Sequence, residues 1–317
     1  MDLQQRARII IETNLALQPG ETLLVVTDDP TREVGELFYE AARAMDHRAL
    51  IMQMPEGSVA GEEPPAPVAA AMKAADVALC PTAKSITHTN ARIKAAAAGT
   101  RVVTMPGITM DMLRDGAACA DYDQVERRTR QLTERLTHAK HARIEKDGHV
   151  LELALTGRDG VASPGVYREP GASGNFPSGE AYIAPLEDGA NGTAVIDGSM
   201  VGIGTLTEPM TVTIENGRLT RIEGADAQGP YAERLSVLFE QPENGTIAEL
   251  GIGTNEAAKL CGIILEDEKL YGTVHIAFGT NTPFGGITKA DCHLDGIILN
   301  PTLYLDDECV IRKGEFL

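Results

Sequence analysis

The stretch TLLVVTDDPTREVGELFYEAARAMDHRALIMQM, residues 22–54, decides how the first part of this chain folds. Residues 22–27 form an unbroken β run dominated by Leu and Val, the pattern of a strand buried on both faces. Asp28, Asp29, Pro30 and Thr31 end that run and open a helix over 32–45, and residues 49–54 then supply a second strand. Upstream, a helix over 3–17 carries Ile9, Ile10, Leu15 and Leu17 and stops at Pro19-Gly20. Downstream the unit repeats as helix 67–75, strand 77–80, helix 89–98 and strand 101–104. Strands separated by helices of this length predict a doubly wound parallel sheet. The dinucleotide fingerprint GxGxxG is missing from every strand-to-helix turn, which excludes NAD.

Beyond residue 121 the texture changes. A polar helix over 121–138, with Val125, Leu132 and Leu136 on one stripe, reads as a connector. After it come two hairpin signatures, Asp147-Gly148 and Asn216-Gly217, each between alternating strands. The expected class is therefore α/β. A doubly wound parallel-sheet domain with its connector helix covers 1–141, and a β-rich α+β domain, the metal-binding one, covers 142–317.

Composition narrows the function. The 317 residues carry 46 acidic against 28 basic side chains, a formal net charge of −18. Such a surface repels phosphate backbones and anionic lipid, so neither nucleic acid nor membrane is expected as a partner. No apolar run approaches the roughly 20 residues that span a bilayer, and Met1 to Arg6 show no basic-then-apolar signal pattern. The five cysteines are widely spaced with no CxxC pair, which points to reduced thiols and a cytoplasmic location.

Three segments of the second half hold polar residues that packing does not ask for. Glu180 leaves a loop rich in Gly and Pro and leads into an apolar strand; it is either a solvated carboxylate or a ligand. Glu249 stands inside an apolar run with glycines on its far side, and a carboxylate buried there requires a metal, an Arg or a proton. His275 lies within a strand, and His293 and Asp295 follow two residues apart, so that both can reach one ion from one strand face. Two imidazoles with several carboxylates suit Zn²⁺, Mn²⁺, Co²⁺ or Fe²⁺ rather than Ca²⁺ or Mg²⁺. Glu268, in the acidic run before His275, reads equally as a base, a further ligand or part of a charged turn. Cys292 alternates with His293 and should point to the opposite face as a core thiol. No GxSxG elbow and no phosphate-binding loop is present.

In this order, GNFPSGEAYIAP (174–185), AELGIGTN (248–255), VHIAFG (274–279) and CHLDG (292–296) resemble segments of the aminopeptidase T and aminopeptidase S family of metallopeptidases. The stretch SITHTNARIKAAAAGTRVVTMPG (85–107) fits as well, so the resemblance covers nearly the whole chain. It implies a homodimer and a site for two divalent ions, Zn, Co or Mn, held by Glu180, Glu249, His275, His293 and Asp295. By the same resemblance Glu249 would bridge the ions, and Glu268 or Glu249 would take the proton of the attacking water. The leading expectation is a metallo-aminopeptidase, a hydrolase that removes N-terminal residues from peptides. One departure stands out: Thr282 occupies the position of a Tyr that assists catalysis in those enzymes, with Tyr182, Tyr271 and Tyr304 as replacements. Arg92, Arg168 and Asn175 also lie in family-like segments. The chain resembles a second class of the same fold, the Fe(II)-dependent 2,5-dihydroxypyridine dioxygenases. There His275, His293 and Asp295 would form a two-His-one-carboxylate triad, with Glu180 and Glu249 behind it.

Overall fold

The strand–helix–strand reading of 22–54 holds in the structure, a computed structural model that describes residues 1–224 and 232–317. Strands Thr22–Asp28 and Arg48–Met54 pair in parallel over their whole lengths, and Val77–Thr82 lies on the other side of the first. Strand Arg101–Pro106 and the short Ser173–Asn175 complete a parallel sheet of five strands. Helix Arg32–Ala44 buries Val34, Leu37, Phe38, Ala41 and Ala42, the spacing of one helical face. Gly35 sits where this helix touches the sheet; a Cβ there would lie 2.8 Å from Cβ of Thr27.

Two features of this unit depart from the expected pattern. The first helix is α-helical only over Leu3–Ile9 and then widens into a π turn at Ile10–Asn14. Asn14 ends it with bonds to a distant segment, its side-chain amide donating to the Gly165 carbonyl at 2.8 Å and its own carbonyl accepting from the Tyr167 amide at 2.7 Å. The fifth strand, Ser173–Asn175, likewise returns from after the hairpin region. Arg92, Arg168 and Asn175 are engaged within this unit. Arg92 holds the Thr87 carbonyl and Ser173, Arg168 pairs with Asp123 at 3.5 Å, and Asn175 accepts from Thr104.

The chain forms two compact units, Met1–Asp123 with Gly165–Ser178, and Gln124–Pro164 with Gly179–Leu317. In the second, the hairpins His141–Lys146/His149–Ala154 and Met210–Glu215/Arg218–Glu223 turn at Asp147-Gly148 and Asn216-Gly217. Both residues of each turn have positive φ, the geometry those residue pairs accept most readily. These strands belong to a sheet of eight strands, and a second sheet of seven includes Glu180–Ile183, Ile247–Gly253, Val274–Gly279 and His293–Ile298. Leu132 and Leu136, from the stripe of helix Tyr122–His138, join Ile183, Leu250, Ile252, Val274, Ile276 and Phe278 in one apolar core. The mixed α/β architecture is as expected. No helix among the described residues is long and apolar enough to cross a membrane.

Candidate metal centre

The seven-stranded sheet has two unlike faces. Leu250, Ile252, Val274, Ile276 and Phe278 point into the core, so by alternation Glu249, Gly251, His275 and Ala277 share the other face. Antiparallel pairing then sets Glu249, Ala277 and Asp295 in one row, His275 opposite Gly251, and His293 opposite Gly279. Glu180 lies opposite Gly253 on the next strand. Every proposed ligand therefore faces Gly or Ala across a strand pair. These small residues have a physical purpose. A Cβ on Gly251 would fall on Nε2 of His275, and one on Gly253 would fall on the Leu270 carbonyl.

The structure brings together all six residues singled out from sequence, Glu180, Glu249, Glu268, His275, His293 and Asp295, in two adjoining groups. Donor atoms of Glu249, His293 and Asp295 form one, and those of Glu180, Glu268 and His275 the other, each within 4.8 Å of one another. Glu249 links them: its Oε1 lies 3.3 Å from His275 Nε2 and its Oε2 lies 3.4 Å from His293 Nε2. Asp295 Oδ1 lies 3.4 Å from the same His293 nitrogen. Metal–donor bonds of about 2.1 Å place neighbouring donors roughly 3.0–3.5 Å apart, so this spacing fits one ion. Glu180 is buried, which excludes its solvated reading, and Glu249 is buried as well. His293 is the most open of the candidate ligand side chains, at 28% exposure.

His293 also shows how its ring is prepared. Its Nδ1 lies 2.8 Å from the Thr280 carbonyl oxygen, so Nδ1–H donates there and Nε2 is turned toward Glu249 and Asp295, where it carries a proton in the metal-free protein and would offer its lone pair to an ion. Burial alone would lower both histidines. For His293 the carboxylates of Asp295 and Glu249 reverse this and hold it well above its usual range. For His275, Glu249 and Glu180 overcome burial and raise it to about 9. Burial also pushes Glu249 up, but hydrogen bonds from the two histidines outweigh it and bring the carboxyl to about 2.

Sequence reasoning missed Lys269. Its ammonium is fully buried, 2.6 Å from Glu180 Oε1 and hydrogen-bonded to Glu268 Oε1. The segment that carries it is no solvated turn. Glu266 and Asp267 are buried, and Asp267 accepts the backbone N–H groups of Cys261 and Gly262. Asn255 and Lys269 then bond backbone to backbone at 2.9 Å, pinning the loop beside the Glu249 strand. The available signal was the pair Leu265 and Leu270 flanking four charges, together with Gly253, whose missing side chain makes room for the loop. Burial, with help from Glu180 and Asp295 and against the pull of Lys269, raises Glu268 to about 8. Of the three tyrosines offered in place of Thr282, Tyr182 packs edge-on against Phe284, which packs edge-on against His293, whereas Tyr271 packs on Phe316 and Tyr304 lies under the Arg143 guanidinium. Cys292 packs against the apolar core, as its alternation requires.

Comparison with known proteins was then decisive. Residues 12–317 match the model of the 2,5-dihydroxypyridine 5,6-dioxygenase family, NicX. The chain belongs to that family. A curated relative, the 2,5-dihydroxypyridine 5,6-dioxygenase of Pseudomonas putida KT2440, is 32% identical over 167 residues, 49% of this chain and 47% of its own length. The chain thus spans about half the length of the curated relative it matches. A solved structure of 2,5-dihydroxypyridine dioxygenase from Pseudomonas putida KT2440 superposes with a TM-score of 0.83 at 23% identity, over 99% of this chain and 96% of that one. AmpT from Thermus thermophilus superposes with a TM-score of 0.72 at 16% identity, over 99% and 98%. These two likenesses show a shared fold. Membership of the dioxygenase family overturns the expected metallo-aminopeptidase: the family name is that of an oxidoreductase, and the hydrolase and protease readings fall with it. The resemblance to aminopeptidases reflects the common fold.

Proposed function

We propose that this chain is a dioxygenase that opens the ring of a dihydroxylated pyridine, using one Fe(II) held by His275, His293 and Asp295. The observation that carries the reading is His293 Nδ1 on the Thr280 carbonyl, which turns Nε2 toward Asp295 while Glu249 spans the two imidazoles. Two imidazoles and one carboxylate with positions left open are the donor set of non-haem Fe(II) oxygenases. Family membership supplies the substrate class, since the relatives are named for cleavage between C5 and C6 of 2,5-dihydroxypyridine. Iron bound here would supply the redox chemistry that lets O₂ react with an aromatic ring.

The chain's own residues supply positioning and proton transfer. Glu249, at about 2, stays ionised at neutral pH and orients both imidazoles rather than holding a proton. Glu268, at about 8, exchanges its proton near neutrality and is the group suited to accept a hydroxyl proton from the substrate. Phe284 and Tyr182, both half-buried beside the open edge of His293, offer an aromatic wall for a planar ring.

The test is oxygen consumption by anaerobically purified, Fe²⁺-loaded protein given 2,5-dihydroxypyridine. Uptake of one O₂ per ring lost, absent in His293→Ala, is expected. Protein that binds Fe²⁺ yet consumes no O₂ with dihydroxypyridines would sink the reading.

A further inference from the structure

One end of the carboxylate row already contains a cation. Lys269 Nζ lies 2.6 Å from Glu180 Oε1 and bonds Glu268 Oε1, two of the three residues of the second donor group. The third, His275, turns Nε2 to within 3.6 Å of Glu180 Oε2, a buried oxygen with no hydrogen-bond partner. Without the ammonium, Glu180 and Glu268 would offer two buried carboxylates, with the unpartnered Oε2 of Glu180 turned toward His275, to a further divalent ion. An ammonium and a divalent ion seated on the same two carboxylates would repel at short range, and in a buried site that repulsion is poorly screened.

We propose that Lys269 is a built-in cation that limits this site to one metal ion and confines that ion to His275, His293 and Asp295, away from Glu180 and Glu268. The proposal rests on the metal centre proposed above. The side chain is fully buried and the loop bearing it is fixed by Asp267 and Asn255, so the charge is a permanent part of the site. The chain thereby keeps the donors of a two-ion site while fixing its stoichiometry at one. Lys269 acts here as a positioning residue, through Glu180 and Glu268.

The experiment is metal titration of the stripped full-length protein with Zn²⁺, read by elemental analysis after dialysis, and with Co²⁺, read by its visible absorption. Wild type is expected to bind one equivalent, Lys269→Ala two, and Lys269→Arg, which keeps the charge, one. In Lys269→Ala/His293→Ala the ion at the His293 end is lost and the new one stays. Two equivalents in wild type, or one in a folded Lys269→Ala, would overturn the proposal while leaving the metal centre standing. No equivalents in wild type would overturn the metal centre itself. If Lys269→Ala is unfolded when stripped, refolding by Zn²⁺ alone supports the exchange of one cation for another, and failure of Zn²⁺ to restore the fold overturns it.

Discussion

The two ends of the carboxylate row solve one electrostatic problem in opposite ways. At the Glu180–Glu268 end, buried negative charge is neutralised from within by Lys269. At the Glu249–Asp295 end it faces two imidazoles, whose net charge depends on protons or on an ion from outside. The first arrangement is complete when the chain folds and contributes structure. The second, on the proposed function, is completed by a metal, and the chemistry is assigned to that end. On the proposal above, the same count of carboxylates would hold two ions or one, depending on a single lysine.

The largest expected effect separates the ends by function. His293→Ala or Asp295→Ala should reduce metal affinity by well over the roughly 10–100-fold typical of changing a residue behind a ligand, and abolish oxygen uptake. Stripped of metal, either variant should lose less stability than one that empties the fully buried Lys269 position, since His293 is partly open. Lys269→Met should do the reverse. It leaves Glu180 and Glu268 buried with no cation, a loss of about 3–5 kcal/mol measured by denaturant unfolding. If Lys269→Met is as stable as wild type, the contrast between a structural end and a chemical end fails.

A pH series sharpens the same contrast. In the stripped protein His275 is raised from 6.5 to about 9, so its contribution to stability is fully present below pH 6.5 and lost as pH rises through 9. Glu268, raised from 4.5 to about 8, acts in the same direction over its own window. Thermal unfolding of stripped protein should thus weaken by about 3 kcal/mol from His275 alone between pH 6.5 and 9.5. Metal affinity should strengthen over that range, as the proton leaves the imidazole. Bound metal should flatten the stability profile, since it takes the place of the proton. A flat profile in the stripped protein would show that Glu249 and His275 are not coupled as the geometry has it.

How far the sequence could be read follows from which partners are local. The parallel sheet was legible in 22–54, because strands buried on both faces and a one-sided helix are patterns of neighbouring residues. The π turn at Ile10–Asn14 was not, since Tyr167 and Gly165 close it from more than a hundred residues away. In the site, His293 and Asp295 were found by strand alternation, and Glu249 by the glycines beside it. Lys269 escaped because a run of Glu, Asp, Glu and Lys reads as a solvated turn, and only the docking of the loop over Gly253 buries it. The chemistry was misread for a different reason. Carboxylates and histidines in this order suit either a two-ion or a one-ion enzyme, and the family match, not the ligand pattern, decides between the two readings.

Gly251 tests whether the sheet face itself shapes the metal end. A methyl group there would occupy the place of His275 Nε2, forcing the ring or the strand aside. Gly251→Ala should destabilise by about 1–3 kcal/mol, as overpacking does, and should also lower metal affinity. Gly253→Ala meets the Leu270 carbonyl instead, so it should disturb the Lys269 loop and leave Nε2 of His275 in place. Equal metal loss in both variants would mean that the two ends are not separable by the glycines beneath them.

The smallest expected effect concerns the open edge. Phe284 lies edge-on to His293, with ring centroids 5.9 Å apart, and Tyr182 stands edge-on to Phe284 at 5.4 Å. Neither ring carries a metal donor, so their replacement should leave metal content unchanged. Phe284→Leu keeps apolar bulk but removes the aromatic face, which is worth about 0.5–1.5 kcal/mol beyond its area. The expected outcome is a rise in KM for a planar dihydroxylated ring of roughly 2–10-fold, with kcat nearly constant, because the contact is made equally in ground and transition states. Should kcat fall instead while KM holds, Phe284 acts on the orientation of His293 rather than on the substrate, and the aromatic wall belongs to the metal's surroundings.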